Sequence, residues 1–426
     1  MTRPIPAIER LLPARDGIRM SREGIRVSRG VMLLCILLWP AMSRAVEQGG
    51  HAASQQRPIV LGQVVSRTGN NPGGLDNEQG AALAAAQINA SGGLLRGRQI
   101  ELRVEDDQTQ AAPAIAAVER LAREGVSAIV GTSFSNASLA VIPTAERARI
   151  PYISTGAADA QVEPAHPYVY MTPLTGQLVA EQLLRYLHSK GVTKLAVIYD
   201  ADSQFARNGW AKQRAMLARY AIELVAEQPV KVGTTDFGPA LRAASSSGAQ
   251  ALMAWVTGPP AVGLAKDHGR SGVHLPLYLS HGAASPAFVQ AVGGAAEGII
   301  VATALATVAP QLPESNTRQV ALAMTQSFEK AYGHPPSQFA IDGYVAVKLV
   351  AAAIEQAGSD EPAAVQRALD RLDLVTPQGE YTYSPTDHSG LRVDDVAVTE
   401  IRQGHFVLTA WSKERLAGLA ARGRPP

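Results

Sequence analysis

"GGLLRGRQIELRVEDDQTQAAPAIAAVERLAREGVSAIVG", residues 92–131, decides the fold. Within it "QIELRVEDD" (99–107) reads as a strand and "AAPAIAAVERLAREG" (111–125) as a helix with Pro113 in its first turn. "VSAIVG" (126–131) reads as another strand, the third from the start of the pattern. The unit repeats outward. "IVLGQVV" (59–65) and "NEQGAALAAAQINASGG" (77–93) precede it as strand and helix, the helix stopping at Gly92–Gly93. A serine loop, a helix over 136–148 and the strand "IPYIST" (150–155) follow. Strand and helix alternating through short Gly-marked turns is the pattern of a doubly wound parallel sheet.

The alternation then restarts. "KLAVIYD" (194–200), "IELVAEQPV" (222–230), "ALMAWVT" (251–257) and "PLYLS" (276–280) read as strands with helices between them. Two sets of βα units imply two lobes of similar build. Residues 315–358 read as mostly helical, followed by a β-rich stretch, "GEYTYSP" and "DVAVTEIRQGHFVLTAW".

The 426 residues are 46% hydrophobic, enough for two or three domains with large cores. Residues 1–45 read as an export signal. Arg22, Arg26 and Arg29 precede the apolar "VMLLCILLW" (31–39), and Ser43 and Ala45 suit a cut before Val46. A start at Met20 would leave an ordinary signal of 26 residues. The apolar run is too short to span a bilayer. Cys35, the only cysteine, lies inside it, so the exported chain has no disulfide and relies on its core. "MLLC" places bulky Leu34 where a lipoprotein site wants a small residue. Removing the signal's eight Arg and three acidic residues leaves 31 basic and 34 acidic, a net charge of −3. No basic surplus remains, which argues against nucleic acid as a partner.

In an open α/β sheet, ligands sit beyond the carboxyl ends of the strands. The loop carrying Ser133, Ser135, Asn136 and Ser138 occupies that place after the third strand, and "TGAAD" (155–159) after the fourth. "DADSQF" (200–205), "TGPP" (257–260) and "SHGAAS" (280–285) occupy it in the second lobe. Two facing lobes with such loops make a cleft. The serine loop is expected to cap the following helix. It is also expected to hold an anion, because free N–H groups and the helix dipole point outward together.

These residues resemble the leucine/isoleucine/valine-type periplasmic binding proteins, the soluble receptors of ABC importers. The resemblance covers roughly 59–410 and is carried by "GG-x-x-x-G", the "DD" closing the second strand and the Gly–Ser loop after the third. "AVIYDADSQFARNG", "AAEGIIVA" and "AIDGYVAVKL" carry it through the second lobe. It implies a type 1 Venus-flytrap fold, two doubly wound lobes joined by three hinge crossovers near Met171–Pro173, Val301–Thr303 and Thr376–Glu380. The first lobe would be 58–171 with 303–377 and the second 173–301 with 380–412, with 46–57 a linker and 413–426 a tail. It also implies a monomer without cofactor or metal, located in the periplasm and partnered with an inner-membrane ABC permease. A small carboxylate ligand would be buried by hinge closure.

By the same resemblance Ser135, with Ser133 beside it, holds the ligand carboxylate. Gly156, Ala157 and Ala158 match a loop that meets the ligand through backbone groups and a hydroxyl. Ala158 stands where branched-chain binders carry a threonine, which weakens an amino-acid reading. Phe205 and Thr257 match second-lobe contacts, and Trp255 faces either core or cleft. His281 departs most. Branched-chain binders place there a glutamate that pairs with the ligand ammonium, and a histidinium would instead favour an anion. Either Asp159, Asp202 or Asp342 takes that role, or the ligand has no ammonium. "SHGAAS" is similar to members that take up aromatic or other organic acids, although His281 could also simply bond a backbone carbonyl.

Two other classes compete. A sensor of the same fold would pass a ligand signal to a membrane partner. A hydrolase would need Ser135, His281 and Asp342 as a triad, but the first two are expected on opposite lobes. No G-x-G-x-x-G after the first strand, P-loop, G-x-S-x-G or H-x-x-x-H pattern is present.

Overall fold

The computed structural model describes residues 57–69, 73–231 and 233–422. The expected signal, 1–45, and nearly all of the expected linker lie outside them. The first lobe begins with β1 (Ile59–Val65), α1 (Gly74–Ala90), β2 (Ile100–Asp106), α2 (Ala111–Glu124), β3 (Ala128–Gly131), α3 (Ser135–Ala148), β4 (Tyr152–Ser154) and β5 (Val169–Met171). Its strands form one parallel sheet in the order β2-β1-β3-β4-β5. The opening stretch explains why. β3 is short, apolar and wholly buried, as a strand covered on both faces must be. α2 buries Ala114, Ala117, Val118 and Leu121, one helical face, and stops at Gly125, whose φ of 72° suits a residue without Cβ.

The chain then builds α4 (Gly176–Ser189), β6 (Lys194–Asp200), α5 (Gln204–Met216), β7 (Glu223–Val230), α6 (Gly238–Ser246), β8 (Ala251–Trp255), α7 (Gly258–Arg270), β9 (Leu277–Leu279), α8 (Pro286–Val292) and β10 (Ile300–Ala304). The helices α9 (Asn316–Tyr332), α10 (Gln338–Ala357) and α11 (Pro362–Leu369) follow, then β11 (Asp373–Thr376), β12 (Gly379–Thr382), β13 (Val396–Arg402), β14 (His405–Leu408) and α12 (Ala410–Ala421). The second sheet has the order β14-β13-β10-β9-β8-β6-β7. It is parallel except at one edge, where β13 runs antiparallel to β10 and β14 to β13.

Three expectations shift. β10 stays in the second sheet through Ala304, so the chain leaves that sheet after Ala304 and not at Val301–Thr303. Thr376–Glu380 is the turn of the β11–β12 hairpin, and the chain rejoins the second sheet only at β13. The expected tail, 413–426, is largely the end of α12, which buries Leu416 and Leu419 against Leu305, Val308 and Leu408.

α10 carries the first lobe's share of the hinge. It lies against α1 so closely that a Cβ on Gly343 would stand 2.1 Å from the Asn77 carbonyl oxygen, and one on Gly80 1.9 Å from that of Ala340. Asn77 Nδ2 donates to the Phe339 carbonyl at 2.6 Å, and Tyr344 Oη to Gln87 at 2.7 Å. This contact fixes where Gln338, Phe339 and Asp342 stand.

Candidate ligand-binding site

The loops at the carboxyl ends of β3 and β4 meet those of β6, β8 and β9 across one cavity. It is a narrow cleft whose empty space, open mouth included, is about 490 Å³. Ser133, Ser135, Ala157, Phe205, Thr257 and His281 all line it. Gly156 and Ala158 do not: the Gly156 carbonyl accepts from Gln161 Nε2 at 2.8 Å, and Ala158 is wholly buried behind the loop.

The serines do not cap α3, contrary to expectation. The residue before the helix is Phe134, extended, with no side-chain hydrogen bond to the helix start. Ser135 Oγ turns away and accepts from Ala158 N–H at 3.0 Å. Ser133 Oγ accepts from Ser66 N–H at 3.3 Å, and Ser138 Oγ donates to the Phe134 carbonyl at 3.1 Å. Ser135 thus pins the β3 and β4 loops to each other, Ser133 ties the β3 loop to the one after β1, and Ser138 bonds back within its own helix. The first-turn N–H groups of α3 are thereby left without a side-chain cap at the cavity wall, where an anion can take them.

The opposite wall is aromatic. Phe205 meets His281 edge-on at 5.3 Å between ring centres, and Trp255 at 5.7 Å. Trp255 is fully buried behind Phe205 and donates from Nε1 to Gln213 Oε1 at 2.7 Å, so it belongs to the core. Phe134 and Phe339 pack at 5.7 Å on the first-lobe side. His281 is 2% exposed, and its Nδ1 has no hydrogen-bond partner among the described residues. Burial alone lowers its pKa from 6.5 to about 3, so the ring is neutral. It is not a histidinium awaiting an anion, nor does Nδ1 bond a backbone carbonyl.

Of the three candidate acids only Asp342 lines the cavity. Asp159 is buried elsewhere, its Oδ1 accepting from Gln177 N–H at 2.9 Å. Asp202 lends its carbonyl oxygen to Asn136 Nδ2 at 3.2 Å. Asp342 Oδ1 accepts from Gln338 Nε2 and Gln378 Nε2, each at 2.9 Å. Gln338 Oε1 accepts from Ala304 N–H at 3.2 Å, and Gln378 Nε2 also reaches the Thr172 carbonyl at 3.2 Å. One carboxyl oxygen thus gathers the chain at its first crossing (Thr172), its second (Ala304) and the hairpin near its third (Gln378). Burial raises the pKa of Asp342 well above the usual carboxylate range.

The lobes touch across the mouth. Asn136 Oδ1 accepts from Gln204 N–H at 2.9 Å, and Asn208 Oδ1 from Ala160 N–H at 3.2 Å. Two sheets, three crossings and a cavity between their strand ends describe a hinged binding protein, and a family profile for periplasmic binding proteins matches residues 58–405. The chain belongs to the periplasmic binding protein family. Its type is the leucine/isoleucine/valine-binding one, a ligand-binding receptor that the family places outside the cytoplasm.

Among relatives of this binding protein, a Leu/Ile/Val-binding protein homolog 6 of Brucella melitensis is 26% identical over 294 residues, covering 66% of this chain and 72% of the relative. The branched-chain amino acid substrate-binding protein LivJ of Streptococcus pneumoniae, solved with isoleucine, superposes with a TM-score of 0.73 at 23% identity. That match covers 83% of this chain and 100% of LivJ. A Rhodopseudomonas palustris solute-binding protein solved with benzoate gives a TM-score of 0.71 at 20% identity, covering 82% and 95%. At these identities the two structures speak to the fold.

Sequence reasoning missed Phe134, Gln338 and Phe339 as cavity residues. Phe134 was hidden among the serines that drew attention. Gln338 and Phe339 open a helix 200 residues further on, and only its docking on α1 brings them to the cleft.

Proposed function

We propose that this receptor serves an ABC importer and closes its lobes on a small carboxylate with a flat aromatic body. The observation that carries the reading is the wall of Phe134, Phe205 and Phe339 around an uncharged His281, at the position where a branched-chain binder offers a glutamate to an ammonium. An ammonium left unpaired in a closed cleft costs several kcal/mol, on the order of the penalty for any buried lone charge. An aryl carboxylate carries no such group. Its single charge meets the uncapped start of α3, and its ring meets the phenylalanines edge-on or stacked. The benzoate seen in the Rhodopseudomonas structure supports a ligand of this class within the same fold. The amino-acid reading rests on the names of the relatives and on the isoleucine in LivJ.

Melting the chain from Val46 onward against benzoate, cinnamate, leucine, isoleucine and valine tests the choice. A ligand at 100 times its Kd stabilises by about 2.7 kcal/mol. The aryl acids should raise the melting temperature. A rise with leucine and none with any aryl acid refutes the reading. A permease and ATPase encoded beside the gene support import, whereas a membrane sensor kinase there turns the same receptor into a signalling one.

A further inference from the structure

Asp342 Oδ1 is occupied by the two glutamine amides, and the glutamines spend their remaining capacity on each other, Thr172 and Ala304. Oδ2 is the atom the network leaves over. It takes no hydrogen bond from the described residues, yet it is not among the sealed side-chain oxygens, and Asp342 lines the cavity while only 2% exposed. A buried carboxyl oxygen turned to a ligand cavity needs a partner from the ligand. No Lys or Arg lines that cavity, and its histidine is neutral.

We infer that Asp342 sets the receptor's specificity, donating a hydrogen bond from Oδ2–H to a ring oxygen of the ligand, so that hydroxylated aryl carboxylates are preferred to bare ones. The roles follow from the geometry. Both N–H donors sit on Oδ1, so a proton on Asp342 can ride only on Oδ2. Burial favours that proton and outweighs the two amide hydrogen bonds, which by themselves favour the ionised form. The ligand thereby makes contact at both ends of the cavity: its carboxylate on α3, its hydroxyl on the carboxyl that ties the crossings together. The hydroxyl reports on closure as well as fit, because the glutamines that hold Asp342 are themselves bonded to Ala304 and Thr172 at the hinge.

This inference rests on the aryl-acid reading, and the test separates the two. Titration calorimetry compares benzoate, 3-hydroxybenzoate, 4-hydroxybenzoate, leucine and phenylalanine on the exported chain and on Asp342→Asn and Asp342→Leu. Wild type should bind one hydroxybenzoate about tenfold more tightly than benzoate, the size of one good hydrogen bond. Asparagine keeps the shape, keeps Oδ1 for the glutamines and offers N–H in place of O–H, so Asp342→Asn should retain the preference. Asp342→Leu should bring the ratio to about one, whatever it does to affinity as a whole. Benzoates that bind with no hydroxyl preference in wild type overturn this inference and leave the aryl-acid reading standing, a result that needs no variant to fold. Loss of the preference in Asp342→Asn overturns the donor role. Binding of leucine or phenylalanine with no benzoate bound overturns both.

Discussion

His281 offers a test of the site through stability alone. Its ring is buried and neutral, with a pKa lowered from 6.5 to about 3 by desolvation. A group whose folded pKa lies below its unfolded value binds fewer protons folded than unfolded, so its stabilisation is complete above about pH 6.5 and is lost as the pH falls toward 3. Each pH unit in that window is worth about 1.4 kcal/mol, so at pH 5 the folded chain has given up about 2 kcal/mol. Asp395, whose pKa burial raises to about 7, acts oppositely across part of the range, because its stabilisation fades as the pH rises. Other buried carboxyls with raised pKa, Asp342 among them, add to the whole-protein profile, and only a difference isolates the histidine. His281→Gln removes the titration and keeps an uncharged polar side chain. Urea unfolding of both proteins at pH 5, 6, 7 and 8 should give a difference in ΔG that is constant at pH 7 and above. At pH 5 the difference should move by about 2 kcal/mol in the variant's favour. A flat difference from pH 5 to 8 would falsify the neutral, unpaired His281 and with it the uncharged cavity.

Other perturbations read the remaining parts of the site. Ser135→Ala leaves the Ala158 N–H buried without its acceptor, and denaturant unfolding should show a loss of about 1–3 kcal/mol with weaker binding of the best aryl acid. Asn136→Ala removes two hydrogen bonds that cross the cleft mouth. At the low end of about 0.5 kcal/mol each for exposed bonds, affinity should fall about fivefold through a faster off-rate, measurable by stopped flow, with the melting temperature nearly unmoved. Gly209→Ala drives a Cβ to 2.2 Å from the Trp255 ring, so the melting temperature should drop by the equivalent of about 1–3 kcal/mol. An unchanged value would show that Trp255 can shift.

The parallel sheets were legible because each strand is a short apolar run bounded by Gly or polar residues, and the intervening helices bury regular faces. The site's address was legible too, since ligand loops follow strand ends whatever the ligand. What escaped depends on distance along the chain. β5 follows β4 with no α-helix between them, so the strand–helix alternation passes over it. The β11–β12 hairpin and α12 become intelligible only once Tyr383 Oη is seen donating to the Met171 carbonyl at 2.7 Å and Leu416 is seen under Leu305. The serines misled for a local reason. Ser135 is the first helical residue and not the one before it, which aims its hydroxyl at the neighbouring loop and away from its own helix.

The bridge from Asn136 to the backbone of Gln204 has a practical side, since Cys35 is the sequence's only thiol. In a chain begun at Val46, a single introduced sulfhydryl is the sole attachment point for a fluorophore. Asp202→Cys would put a dye on the rim opposite Asn136, where shutting of the jaws changes the polarity around it. The receptor would then become an optical sensor for whatever it captures, without any rebuilding of its interior.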